Sequence, residues 1–167
     1  HIVVTAASDY LQVYLNGDLD VVTRTGAGAH APAYLHRSVH EFGRLILNGE
    51  LYRGHRGMAG EIGHSVVEGE GLRCRCGLMG CLETRIGRSF LIDRAKLLMG
   101  MDEDELLTLE DVWSRAEQGN PGAVQVAQEA GRWLGIATAN LVNLYNPSRV
   151  VFGGSVLASG PLLLEPL

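Results

Sequence analysis

The three cysteines of this chain all lie between positions 74 and 81, and no other feature constrains the fold as strongly. They are Cys74, Cys76 and Cys81, and His64 precedes them by ten residues. An odd number of cysteines grouped so closely cannot form a complete set of disulfides. Three thiolates and one imidazole match the Cys₃His ligand sets that hold zinc in closed tetrahedral sites. We therefore predict a zinc site formed by these four residues.

The spacing of the cysteines fits a tight loop around one ion. Gly77 and Gly80 allow the turns that bring Cys81 back toward Cys74 and Cys76. Thiolate ligands favour zinc over magnesium or calcium. Because protein groups fill all four positions, the predicted zinc has no open position for water and its role is structural. Two alternatives remain open: a disulfide with one thiol left over, and an iron–sulfur cluster, for which only three thiolates are available.

Two acidic residues flank the predicted metal site. Glu61 lies three residues before His64, and Glu83 lies two residues after Cys81. A carboxylate can accept hydrogen bonds from the hydroxyl groups of a ligand, and a metal at Cys81 would fix the position of Glu83. Glutamate is also a common residue on solvated surfaces. The spacing alone therefore leaves both interpretations open.

The composition is that of an ordinary globular domain. Of the 167 residues, 46% are hydrophobic and 20% charged, and the formal net charge is −5. An acidic chain makes a poor partner for nucleic acid by itself, and the sequence lacks an apolar run long enough to span a membrane. Reduced, metal-binding thiols indicate a cytoplasmic location. The chain begins at His1 rather than at methionine and ends inside an apolar run, so we expect a piece of a longer protein.

The pattern of apolar residues and turn signals predicts an α/β domain. Asn48-Gly49 between two apolar runs predicts a hairpin over 45–52, and short strands are predicted at 2–4, 13–15, 65–67 and 150–152. Helices are predicted at 82–98, at 109–118 after a Thr108 cap, and from Pro121, after an Asn120 cap, to a stop at Pro147. Trp133 falls on the apolar face of the last helix, which predicts a core position. His30, His36 and His40 are interpreted as solvated loop residues.

Two segments resemble the signature of the ROK family (repressors, open reading frames and kinases): Gly60 to His64, and Cys74 to Glu83. The hairpin at 45–54 and the segment 146–154 are also similar to that family, and the resemblance covers residues 43–167. It implies part of an actin-like ATPase fold of the ribonuclease H type. In this interpretation 43–167 is the sugar- and zinc-binding lobe, truncated at both ends, and 1–42 is a divergent remnant of the upstream lobe.

The resemblance also implies roles for individual residues. Family positions matching Glu61, His64 and Glu83 contact a bound sugar, and those matching His64, Cys74, Cys76 and Cys81 hold zinc. No catalytic residue is assigned. The family kinases need an aspartate as general base, and Asp9, Asp18 and Asp20 lack its expected neighbours. They also need a glycine-rich phosphate turn directly before Leu45, whereas Thr25 to Gly28 lies too far upstream.

Three functions follow from this resemblance. The first is the sugar-sensing effector domain of a transcriptional regulator, which fits the missing phosphate turn and general base. The second is an ATP-dependent hexose kinase of the glucokinase type, and only this alternative requires ATP and Mg²⁺. The third is a zinc-stabilised domain without a surviving ligand. The expected partners are a small-molecule sugar and further copies of the chain, with no nucleic acid bound by this part and no membrane.

Overall fold

The computed structural model describes residues 2–3, 5–7, 10–12, 46–47, 50–51, 53–57, 59–147, 150–152 and 160–165. Several predictions fall outside these residues: the strand at 13–15, the glycine turn at 25–28, and the interpretation of the three upstream histidines and the three upstream aspartates.

The strands are short and form three pairs. They are β1 (Ile2–Val3), β2 (Thr5–Ala7), β3 (Tyr10–Gln12), β4 (Ile46–Leu47), β5 (Glu50–Leu51) and β6 (Val150–Val151). β1 pairs with β6 in parallel, whereas β2–β3 and β4–β5 are antiparallel. Leu47 lies opposite Glu50, which confirms the hairpin predicted around Asn48-Gly49. The strand predicted at 65–67 was wrong: only Val66 makes a β-bridge there, with Cys81.

Five helices are described: α1 (Glu83–Ile86), α2 (Arg88–Met99), α3 (Leu109–Glu117), α4 (Pro121–Tyr145) and α5 (Pro161–Leu164). The single helix predicted over 82–98 is interrupted at Gly87, whose φ of −63° and ψ of 143° are extended. A Cβ at this position would lie 2.5 Å from the carbonyl oxygen of Glu83. The glycine therefore lets the chain turn sharply between α1 and α2, which apolar periodicity alone does not indicate.

The helix ends follow the predicted capping residues. The Thr108 side chain accepts a hydrogen bond from the Asp111 amide, and the Asp111 carboxylate accepts from the Thr108 amide, which makes a capping box. The Asn120 side chain accepts from the Ala123 amide ahead of Pro121. At the C-terminal ends, Gly100 adopts a φ of 67° after α2, and α4 ends at Tyr145, two residues before the predicted stop at Pro147.

The core lies where α4 packs against α2, α3 and α5. Many of its buried residues are small, which lets the helices approach closely: Ala95, Ala116, Ala123, Ala127, Ala130 and Ala137. Leu91, Val112, Trp113, Leu134 and Leu163 fill the space between them. Trp133 packs against the edge of this core, as predicted. Within the described part of the chain, every helix is too short or too polar to cross a membrane.

Candidate metal and ligand site

The cysteines lie in a tight loop, residues 65–82, which we call the cysteine loop. The Cys74 amide donates a hydrogen bond to the carbonyl of Leu78 at 2.8 Å, and the Gly80 amide donates to the carbonyl of Leu72 at 2.8 Å. Gly77 makes the turn between them with a φ of +96°, a conformation that a residue with a side chain rarely adopts. These local contacts curl the chain so that Cys74 and Cys76 face Cys81.

Gly80 brings the cysteine loop against the segment that follows His64. Its φ is +70°, and a Cβ added there would lie 1.6 Å from the carbonyl oxygen of Glu68. The Val67 amide donates to the Gly80 carbonyl at 2.9 Å, and the Leu82 amide donates to the Ser65 carbonyl at 2.9 Å. Only glycine therefore permits the approach that places Cys81 beside His64.

The structure brings the four predicted metal ligands together. The donor atoms of His64, Cys74, Cys76 and Cys81 all lie within 4.8 Å of one another. The His64 Nδ1 to Cys74 Sγ distance is 3.5 Å, and the Cys76 Sγ to Cys81 Sγ distance is 3.6 Å. Zinc–sulfur bonds of about 2.3 Å in a tetrahedron separate two sulfurs by roughly 3.8 Å. The donor set and its spacing therefore fit a zinc ion.

The three thiols differ in how readily they ionise. Burial raises the pKa of Cys81 to about 12, and burial also raises the pKa of Cys74. A hydrogen bond from the Leu78 backbone lowers the pKa of the exposed Cys76. The two buried thiols thus favour their neutral form unless a cation compensates the charge, which a metal ion would do.

Glu83 lies beside two of the four donor atoms, those of His64 and Cys74. Its Oε2 atom is 3.4 Å from Nδ1 of His64, and the Cys74 thiol donates to the same oxygen at 3.8 Å. Its Oε1 atom is 2.9 Å from a guanidinium nitrogen of Arg75. The Glu83 side chain is 17% exposed, so it is a mostly buried acid rather than a freely solvated one.

Glu61 is placed by the same backbone turn as His64. It begins a turn of 3₁₀ helix, Ile62–His64, and the His64 amide donates to the Glu61 carbonyl at 3.1 Å. The Glu61 side chain is partly exposed. Two of the three predicted ligand-binding residues therefore share one short turn, and the third lies against it.

Arg75 and Arg85 lie near the site, and the sequence predicted no contact for either of them. Arg85 forms an ion pair with Glu68 of the cysteine loop, with Nε donating to Oε2 at 2.7 Å. Its guanidinium lies over the rings of Phe90 and Trp133, 5.5 and 5.4 Å from the two centroids. Arg85 therefore connects the loop to α2 and α4. Trp133 is far from Arg85 along the chain, so spacing gives no signal for this contact.

Comparison with known proteins places the chain in a family. The model described as the ROK family matches residues 42–167, and the chain therefore belongs to the ROK family. A glucokinase from Halalkalibacterium halodurans is 38% identical over 75% of this chain and 41% of its own length. The xylose repressor of Bacillus subtilis is 31% identical over 74% of this chain and 31% of its own length.

A solved structure shows the same relationship. The ROK family glucokinase from Streptomyces griseus, in complex with glucose and AMPPNP, superposes with a TM-score of 0.63 at 34% identity. That match covers 72% of this chain and 43% of the glucokinase. The chain thus spans less than half the length of these relatives, which are two glucokinases and a xylose repressor.

Proposed function

We propose that residues 43–167 form a sugar-binding lobe that a structural zinc ion organises. The lobe would belong to an α/β, actin-like ATPase fold of the ribonuclease H type, with 1–42 as a divergent remnant of the upstream lobe. The observation that carries the proposal is the grouping of four metal-donor atoms within 4.8 Å, with the Glu83 carboxylate against them. The similarity to the glucose-bound glucokinase supports the choice of a sugar as ligand.

The site offers hydrogen-bonding groups that suit sugar hydroxyls. His64 turns Nδ1 toward Cys74, so Nδ1 is the nitrogen that would ligate zinc, and Nε2 would then carry the proton and donate to a hydroxyl. The carboxylates of Glu61 and Glu83 would accept hydrogen bonds from other hydroxyls. When bound, the zinc supplies a cross-link that fixes His64 and the start of α1 relative to each other.

For the whole protein we propose the effector-sensing role of a ROK transcriptional regulator. The sequence shows neither the general base nor a phosphate turn directly before Leu45, and the xylose repressor is among the relatives. DNA binding would then come from another part of the protein, because this chain has a formal net charge of −5 and DNA contacts need a basic surface. We also propose that the protein forms homo-oligomers, which light scattering after size-exclusion chromatography would test.

The second candidate is an ATP-dependent sugar kinase, and the 38% identity to a glucokinase favours it. A kinase needs a base for the sugar hydroxyl and a cradle for the phosphates. A coupled assay with ATP, Mg²⁺ and a panel of hexoses separates the two roles, and we expect no turnover above background. Clear turnover would replace the regulator proposal with the kinase.

The zinc part of the proposal is tested by metal analysis. Protein purified without chelators should carry about one zinc per chain, as a closed four-ligand site requires. Cys76→Ser and His64→Asn should lose the metal. His55→Asn is the matched control, because His55 is exposed and lies outside the donor group. Wild-type protein free of zinc would refute this part.

The sugar part is tested by calorimetry with glucose, N-acetylglucosamine, mannose and xylose. Glu83→Gln keeps the shape of the side chain but replaces one acceptor oxygen with a donor. A hydrogen bond to a charged group is worth roughly 1.5–3 kcal/mol, so affinity should fall about tenfold or more. Glu117→Gln on the exposed surface of α3 is the control. Equal affinity in Glu83→Gln and wild type would show that Glu83 does not contact the sugar.

A further inference from the structure

Arg75 occupies an unusual place, between two of the proposed metal ligands. Its backbone follows Cys74 and precedes Cys76, and one of its guanidinium nitrogens lies 2.9 Å from Oε1 of Glu83. The Gly77 amide donates to the Cys74 carbonyl at 3.0 Å, which closes a turn around Arg75. The position of the Arg75 backbone is therefore set by the cysteine loop, while its side chain contacts a residue of the proposed sugar site.

The two carboxylate oxygens of Glu83 have different partners. Oε1 faces Arg75, whereas Oε2 lies 3.4 Å from His64 Nδ1 and 3.8 Å from Cys74 Sγ. A guanidinium holds a carboxylate in a defined orientation because its N–H groups form a rigid fork. A metal on Nδ1 and Sγ would remove the partners of Oε2, and this oxygen would then be the one left to accept from a ligand.

We propose that Arg75 is a positioning residue that holds Glu83 in the orientation that binds the sugar, and that metal in the cysteine loop makes this orientation productive by freeing Oε2. This inference rests on the proposed sugar site and extends it. Arg75 thereby couples two binding events, metal at the cysteines and sugar at Glu83. Such coupling is reciprocal: if zinc strengthens sugar binding by some factor, the sugar strengthens zinc binding by the same factor.

Calorimetry on substituted proteins tests the positioning role. Arg75→Ala and Arg75→Gln should weaken binding of D-glucose, N-acetyl-D-glucosamine or D-xylose, whichever binds wild type, by roughly fivefold or more. Arg75→Lys should lose less affinity than Arg75→Ala, because lysine keeps the positive charge. It should still bind more weakly than wild type, because it lacks the planar guanidinium. Arg73→Ala is the matched control. Arg73 is an exposed arginine of the same loop and forms no ion pair with any of the described residues.

A zinc-release measurement tests the coupling. The transfer of zinc to a chromophoric chelator should slow when the sugar is added to wild type or to Arg73→Ala, and this slowing should be lost in Arg75→Ala. Zinc content and thermal midpoint should remain those of wild type in Arg75→Ala.

Three results would overturn the inference: unchanged or tighter sugar binding by Arg75→Ala, an equal loss in Arg73→Ala, or loss of zinc from the Arg75 variants, which would make Arg75 a structural residue of the metal loop. If wild type binds no sugar at all, the proposed function fails first and the inference falls with it. If wild type binds sugar and Arg75→Ala binds it equally well, only the inference fails.

Discussion

The cysteine loop and the helical core are stabilised by different forces. Four large apolar side chains of the loop, Val66, Leu72, Leu78 and Met79, each retain about half of their accessible surface, whereas Leu82 at its end is buried in the core. Backbone hydrogen bonds hold the loop in shape, and the proposed zinc would add a cross-link. The core of α2, α3 and α4 instead buries leucines, alanines and Trp113 almost completely. From this comparison we expect that the cysteine loop can loosen while the helices stay folded.

The largest effect should follow removal of the proposed zinc ion. Cys81→Ser, or chelation, should speed hydrogen exchange at the amides of Cys74 and Gly80 by roughly 100-fold or more, since structural zinc contributes on the order of 10 kcal/mol in zinc-finger peptides. Exchange at buried amides of α4, such as that of Ala130, should change little. If the α4 amides lose protection to the same extent, the loop and the core form a single cooperative unit.

A cavity in the core should destabilise the helices and leave the metal content unchanged. Leu134 on α4 is 1% exposed, and Leu134→Ala should lower the free energy of unfolding by about 2–5 kcal/mol. Zinc content should stay at wild-type level below the unfolding transition. Leu144→Ala on the same helix is the control, because Leu144 is 75% exposed and the change should cost under about 0.5 kcal/mol. Denaturation in urea measures both, and similar losses in the two variants would contradict the assigned core.

Substituting two glycines of the cysteine loop distinguishes the effect of backbone strain from that of steric conflict. Gly77 and Gly80 both have positive φ, but a Cβ on Gly77 meets nothing within 4 Å, whereas one on Gly80 meets the Glu68 carbonyl. Gly77→Ala should therefore destabilise the folded loop by about 1–2 kcal/mol, because of its positive φ alone. Gly80→Ala should weaken zinc binding at least about tenfold more than Gly77→Ala does, a difference of about 1.4 kcal/mol in binding free energy. Equal zinc affinities would mean that the loop shifts away from Glu68 without cost.

The smallest expected effect is a pH dependence from one ion pair on the helices. Arg94 donates two hydrogen bonds to Glu129, at 2.8 and 2.7 Å, and lowers the pKa of Glu129 below its ordinary value of 4.5. Its stabilisation is therefore complete above the ordinary value and is lost as the pH falls through the lowered pKa. Partly exposed pairs contribute about 0–1 kcal/mol. Glu129→Gln should lower stability by this amount at pH 7 and by less at pH 3, and a constant difference would exclude the linkage.

Local features of the chain were predictable because the sequence determines them within a few residues. The Thr108–Asp111 capping box and the Asn120–Pro121 helix start depend on side chains three residues apart or less. The hairpin at β4–β5 depends on two turn residues. The grouping of His64 with the cysteines was also predictable, because the donor set itself is specific. The roles of zinc and sugar remain predictions.

Contacts between distant segments were not predictable from spacing. The helix expected over 82–98 breaks at Gly87, where the extended backbone runs so close to the Glu83 carbonyl that a Cβ would lie 2.5 Å from it. The pairing of Arg85 with Glu68 and its position over Trp133 require the loop to be folded against α4. Arg75 was visible only as an arginine between two cysteines. Its contact with Glu83 depends on how the loop folds, which the spacing of the two residues does not determine.

The parallel pair of β1 and β6 has a consequence for the order in which the protein folds. It joins residue 2 to residue 150, so nearly the whole chain serves as the crossover that a parallel pair requires. Contacts so distant in sequence form late, after the local turns and helices. During synthesis β1 is made first and has no partner until β6 has been made, and an unpaired strand edge can accept a strand from another chain. Aggregation competes with folding at this step.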